Sequence, residues 1–149
     1  REAGICTEPV LHFWIASAEL QMGQYDRALE QIAAAIAEAD EWADLYALRG
    51  LVHWNKGDAA AAEADFARAL EEDSFDARTR GLHGRVLREL GRPEEALVEH
   101  DEEVRTFPKD PVARLNRGIC LEALSRREDA LATTPCERCR PRVVKAQWF

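Results

Sequence analysis

The sequence predicts an all-α protein in which antiparallel helix pairs stack into an α-solenoid of about three and a half repeats. Small residues recur at an interval of 34 positions, and the apolar residues within each interval follow the period of an amphipathic helix. The chain of 149 residues has only 8 Gly and 6 Pro, which leaves few turn residues for a many-stranded β fold.

Three columns of glycine and alanine set the length of the repeat. Neighbouring members of a column are 34 residues apart, and the columns are Gly23, Gly57 and Gly91, then Gly50, Gly84 and Gly118, then Ala28, Ala62 and Ala96. Agreement among separate columns is a strong signal of repeat architecture. Their phase predicts an N-terminal flank, three full repeats, a partial repeat and a basic C-terminal tail, at 1–8, 9–42, 43–76, 77–110, 111–134 and 135–149.

Each repeat is predicted to hold two helices with a short turn between them. Gly57 follows the first helix of its repeat and suits the left-handed conformation that often ends a helix. Pro93 fits the first turn of a second helix, where Glu94 and Glu95 lie at the positive end of the helix dipole. Gly50 and its counterparts let paired helices approach closely, and a larger side chain there should cost about 1–3 kcal/mol.

The charge of the chain disfavours two classes of partner. The net charge is −8, with 5 Lys+Arg against 16 Asp+Glu in residues 1–76 and 15 against 12 in residues 77–149. An acidic protein is poorly suited to bind nucleic acid or an anionic membrane surface. No apolar run approaches the ~18 residues of a spanning helix. We therefore expect no nucleic-acid partner and no membrane insertion, and a cytoplasmic location is favoured.

The sequence has no motif for catalysis or for binding a cofactor. Its histidines, His12, His53, His83 and His100, lack the spacing of metal ligands, and no nucleophile, phosphate-binding or dinucleotide-binding fingerprint is present. We therefore expect a non-catalytic protein with no cofactor and no metal, in which His53 and His83 are partly buried. The acidic run 101–103 is predicted to be solvated surface.

The cysteines offer one alternative chemistry. Cys120 falls within a helical pattern and is predicted to be a small buried apolar residue. Cys136 and Cys139 form a single Cys-x-x-Cys, which is half of a tetrahedral zinc site because no second pair follows. A metal or redox module centred on this pair is an alternative that the sequence does not favour.

The repeat resembles the tetratricopeptide repeat (TPR), whose pattern is W-x2-L-G-x2-Y followed by Ala, Phe and Pro. The corresponding residues of the second repeat are Tyr46, Arg49, Gly50, His53, Ala62, Phe66 and Ser74. Small-residue positions match well and large apolar positions are looser, over about residues 9–132. The resemblance implies a right-handed solenoid that serves as a protein-interaction scaffold and binds a peptide or protein segment in a concave groove.

The resemblance also places the first helix of each repeat on the concave side. The candidate binding residues there are Phe13, Ser17, Leu20, Asp44, Leu51, Trp54, Asn55, Arg78, Arg85, Arg88, Leu115 and Ile119. Helical spacing independently puts the three arginines on one face. They would bind the carboxylates of an acidic ligand beside an aromatic or aliphatic anchor. Alternatively, Trp54 packs against a neighbouring helix and the arginines pair with local glutamates.

Two other interpretations of the partner stay open. The chain could be a regulatory or substrate-presenting domain of a larger enzyme or complex. The basic, aromatic tail 135–149 could instead lie in the groove of the same molecule or of a neighbour, which predicts self-association. An adaptor for chaperone tails is not expected. The positions of that family clamp are Phe13, Ser17, Leu48, Arg78 and Leu82, and only the arginine suits the role.

Overall fold

The computed structural model describes residues 8–73 and 76–124, and this part of the chain is entirely helical. Its elements are α1 (Glu8–Gln21), α2 (Tyr25–Glu38), α3 (Ala43–Lys56), α4 (Ala59–Glu72), α5 (Ala77–Glu89), α6 (Pro93–Thr106) and α7 (Pro111–Ala123). No strand occurs within these two ranges, so the predicted all-α class is confirmed.

The helices form hairpins that stack in chain order. Helix α1 pairs with α2, α3 with α4, and α5 with α6, while each even-numbered helix also packs against the odd-numbered helix that follows it. In addition, α1 contacts α3 and α5 contacts α7. The odd-numbered helices are therefore neighbours along one side of the stack, as in a solenoid whose units touch mainly the next unit.

The turn inside each hairpin depends on a glycine. Gly23, Gly57 and Gly91 have φ angles of 73°, 93° and 75°. This left-handed region is accessible to glycine at little cost, and it ends the first helix abruptly. The predicted role of Gly57 is confirmed. Pro93 occupies the first turn of α6 as predicted.

Helices within a hairpin meet where a small residue faces a large one. A Cβ atom added to Gly50 would lie 2.9 Å from the ring of Phe66, and one added to Gly84 would lie 2.6 Å from the ring of His100. Both rings are fully buried. The two glycines thus occupy equivalent surroundings one repeat apart. The helix that should face Gly118 lies outside the described residues.

A polar contact also recurs in the same register. Arg49 donates hydrogen bonds to both carboxylate oxygens of Asp65 over 2.6 to 3.0 Å. One repeat later, His83 Nδ1 lies 3.4 Å from Glu99 Oε1, and Arg80 donates to the other oxygen over 3.0 Å. Burial raises the pKa of Glu99, but His83 and Arg80 outweigh it and hold this pKa below its ordinary value. The two helices of the second hairpin and of the third are therefore joined by ionic as well as apolar contacts.

Cys120 is buried as predicted, with Sγ 3.0 Å from the carbonyl oxygen of Pro93. Within residues 8–73 and 76–124, no helix is long and apolar enough to cross a membrane. Cys136, Cys139 and the predicted tail 135–149 lie outside the described residues.

The substitution Gly84→Ala tests the close approach of α5 and α6. Alanine is the better helix former by about 1 kcal/mol, so an uncrowded site would be stabilised. Here the new methyl group would displace the buried His100 ring, and we expect a net loss of about 1–3 kcal/mol in the free energy of unfolding. Urea denaturation followed by circular dichroism measures the change. An unchanged or raised midpoint would contradict the packing described here.

The substitution Glu99→Gln tests the ionic contact between α5 and α6. Because its folded-state pKa is lowered, Glu99 stabilises the fold above about pH 4.5, and this stabilisation is lost as pH falls through the folded-state pKa. We expect the variant to lose less unfolding free energy than the parent on acidification below pH ~4.5. Glu30→Gln, an exposed change within α2 and away from its first turn, is the control. Equal slopes for the parent and Glu99→Gln would refute the assignment.

Candidate functional site

Two cavities lie side by side along the odd-numbered helices. The first cavity, of about 340 Å³, lies between α1, α3 and α5. The second cavity, of about 380 Å³, lies between α5 and α7 and includes the loop after α6. Arg78 and Leu82 of α5 line both cavities and form the wall between them. Together the two cavities are called the groove.

The predicted binding residues are divided between the groove and its surroundings. Those in the first cavity are Phe13, Ser17, Leu20, Asp44, Leu51 and Arg78, and those in the second are Arg78 and Arg85. Those that line neither cavity are Trp54, Asn55, Arg88, Leu115 and Ile119. The last two are exposed on α7. The structure thus brings the residues of α1, α3 and α5 together more closely than those of α7.

Trp54 joins α3 to α5 and is only partly accessible. Its indole N–H donates a hydrogen bond to Glu89 Oε2 over 2.7 Å. The guanidinium of Arg85 lies 4.7 Å from the centre of the Trp54 ring, within the range of a cation–π contact. Trp54 thus packs against a neighbouring helix, which was the alternative to a role in ligand binding. The guanidinium of Arg85 is directed toward the ring.

Arg78 differs from the other arginine of the groove. Its backbone N–H donates to the helix cap Asp76 over 3.0 Å, while its side chain is exposed. No carboxylate among the described residues forms a hydrogen bond or an ion pair with its guanidinium. Since a guanidinium offers five donors, Arg78 retains its capacity to bind a carboxylate of a ligand.

The carboxylates that line the groove are each bound by a donor of the protein. Asp76 and Asp110 cap α5 and α7 and accept backbone N–H groups over 3.0 and 2.9 Å. Asp44 accepts the indole N–H of Trp42 over 3.1 Å. Glu103 lies 3.1 Å from Nδ1 of the buried His100. Each of these four acids therefore has a hydrogen-bond partner within the fold.

Glu103 corrects the prediction that the run 101–103 is solvated. Its exposed fraction is only 6%, whereas Asp101 is exposed. The side chain points inward because Gly81 of α5 leaves room for it, and a Cβ atom at Gly81 would collide with the carboxylate. A charge run in the sequence does not show which of its members turns toward the neighbouring helix.

One column of the repeat lines the groove but was not among the predicted binding residues. Leu48, Leu82 and Asn116 are 34 residues apart, and together they line the first cavity, the shared wall and the second cavity. The repeat phase alone could have identified them. Phe107, in the loop before α7, and Val112, in the first turn of α7, also line the second cavity, but no pattern in the sequence marked them.

No metal centre is evident in the described ranges. Groups of three or more histidine, cysteine or acidic side chains able to hold a metal ion do not occur in residues 8–73 and 76–124. The described residues form a groove with apolar side chains on its walls and the exposed Arg78 between its two cavities.

Comparison with known proteins supports this description of the fold. A model of the tetratricopeptide repeat family matches residues 15–77. No protein with a curated description matches the sequence. Among solved structures, MamA has a TM-score of 0.78 at 17% identity, and the match covers 89% of this chain and 77% of that one.

Two further solved structures are similar and longer. YrrB, described as a TPR protein with an unusual peptide-binding site, has a TM-score of 0.75 at 24% identity over 82% of this chain and 63% of its own. PilF of Pseudomonas aeruginosa has a TM-score of 0.77 at 22% identity over 85% and 58%. This chain therefore spans less than two thirds of either protein. The model of the tetratricopeptide repeat family thus covers residues 15–77 of this chain, and the chain shares the fold of these solved structures.

Proposed function

We propose that this protein is a non-catalytic scaffold that binds a peptide or protein segment in the groove along its odd-numbered helices. The observation that carries the proposal is the exposed Arg78, which has no carboxylate partner among the described residues and stands between two cavities with apolar walls. The TPR fold is consistent with this role, and YrrB is itself described as having a peptide-binding site.

The lining of the groove suits an acidic ligand with an apolar anchor. Phe13, Leu20 and Leu51 provide apolar contact in the first cavity. Arg78 and Arg85 provide guanidinium groups, which bind carboxylates with two parallel hydrogen bonds. Buried apolar anchors and arginines commonly supply most of the binding free energy of a protein interface.

Two predictions about the partner remain beside this proposal. The tail 135–149 lies outside the described residues, so self-association through it stays a prediction. A role within a larger enzyme or complex also stays a prediction, since this chain spans only 63% of YrrB and 58% of PilF.

Charge reversal in the groove tests the proposed function. Partners that co-purify with the intact protein would be identified, and the bound segment would be synthesised as a peptide. We expect Arg78→Glu with Arg85→Glu to weaken its binding at least tenfold, because the loss of a charge-assisted contact is worth about 1.5–3 kcal/mol. Isothermal titration calorimetry measures the dissociation constant.

The matched control reverses two arginines on other helices. Arg68 and Arg105 pair with glutamates on their own helices, α4 and α6. The variant Arg68→Glu with Arg105→Glu makes the same change in net charge and should leave the affinity within about twofold, because neither residue contributes to the groove. Equal weakening by both double variants, or by neither, would refute binding in the groove.

A further inference from the structure

The wall between the two cavities constrains any ligand that occupies both. Arg78 and Leu82 lie on α5 and contribute to each cavity. A segment that runs from one cavity into the other must therefore pass directly over this wall. Its residue at that point meets a guanidinium group, whereas its neighbours on either side meet the interiors of the cavities.

The guanidinium of Arg78, in the wall, has no hydrogen bond or ion pair with a carboxylate among the described residues. Asp44, Asp76, Asp110 and Glu103 each have a donor from the protein, as described above. Arg85 is directed against the ring of Trp54 at 4.7 Å. Among the described residues that line the groove, Arg78 is therefore the cation best placed to attract a carboxylate, and Arg85 is the less available one.

Both cavities have apolar interiors on the far sides of this wall. The first contains Phe13, Leu20 and Leu51. The second contains Phe107 and Val112, which are 52% and 57% exposed and can therefore still gain contacts with a ligand. Burial of an aliphatic or aromatic side chain against each set is favourable at about 25 cal/mol per Å² of apolar surface.

From this arrangement we infer the order of chemical groups in the ligand. Given the proposed function, the groove selects an extended peptide in which one acidic residue is flanked on both sides by large apolar residues. Packed helices lie about 8–10 Å apart, and an extended chain advances about 3.3 Å per residue. The acidic residue and each apolar residue are then separated by about two intervening residues. Arg78 is the residue that determines this specificity.

The test uses the full chain and synthetic, fluorescently labelled peptides in anisotropy titrations. The reference peptide has leucine, aspartate and leucine separated by two serines each. One variant replaces aspartate by asparagine, one moves the aspartate outside the leucine pair, and two replace either leucine by serine. We expect each change to weaken binding at least tenfold, although the order-swapped peptide has the same composition and charge.

A double-mutant comparison assigns the effect to Arg78. On the protein variant Arg78→Gln, the difference between the aspartate and asparagine peptides should vanish. On the control Arg68→Gln, the difference should remain as in the parent. Because the Arg78 side chain is exposed and only its backbone N–H binds the helix cap, the substitution should not unfold α5. Circular dichroism checks this.

The possible failures of this inference and of the proposed function are distinguishable. Equal affinity for the ordered and order-swapped peptides overturns the inference alone, as does an aspartate effect that persists in Arg78→Gln. Absence of binding by every peptide also overturns it, while a natural partner sensitive to Arg78→Glu with Arg85→Glu would still support the proposed function. If no ligand responds to that double variant, both fail.

Discussion

The second and third hairpins of this protein each depend on a glycine of the first helix that faces a large buried side chain of the second. Gly50 receives the ring of Phe66, and Gly84 receives the ring of His100. The glycine is constant, while the partner changes from an apolar to a polar ring. The constraint is therefore one of distance, because the helix axes approach only where no side chain separates them. Close packing then transmits this spacing to the next hairpin.

A glycine that leaves room for a side chain of the next helix also shapes the groove. Gly81 lies on α5 three residues before Gly84, and the space it leaves is occupied by the carboxylate of Glu103. That carboxylate faces the buried His100 and also lines the second cavity. The packing inside the third hairpin and the lining of the second cavity thus share the side chain of Glu103. A change in either glycine should alter both.

The electrostatics of the groove follow from how the helices are capped. Asp76 and Asp110 are 34 residues apart, and each accepts a backbone N–H at the start of an odd-numbered helix. These acids line the cavities, but their charge is already directed at the helix ends. Arg78 lies two residues after the cap Asp76, and only its backbone N–H takes part in the capping. The groove is lined by both carboxylates and arginines, and the guanidinium of Arg78 is the position in it that favours an anionic group.

The sequence by itself determined the repeat length, the helical class, the turn glycines and the small-residue columns. These features are set by the local conformation of the backbone or by contacts within one hairpin, so a fixed interval reveals them. The resemblance to the tetratricopeptide repeat, rather than the periodicity, predicted that Phe13, Leu51 and Arg78 lie on one side, and all three line the first cavity.

Only the tertiary structure decided how the side chains of neighbouring hairpins pair. The bond from Trp54 to Glu89 joins positions 35 residues apart, and the burial of Glu103 depends on the room left by Gly81. Whether an arginine is paired or available depends on the angle between hairpins and on rotamers, which no periodicity encodes. For this reason the sequence placed Arg78, Arg85 and Arg88 in one group. In the structure Arg78 has no carboxylate partner among the described residues, Arg85 packs on the ring of Trp54, and Arg88 lines neither cavity.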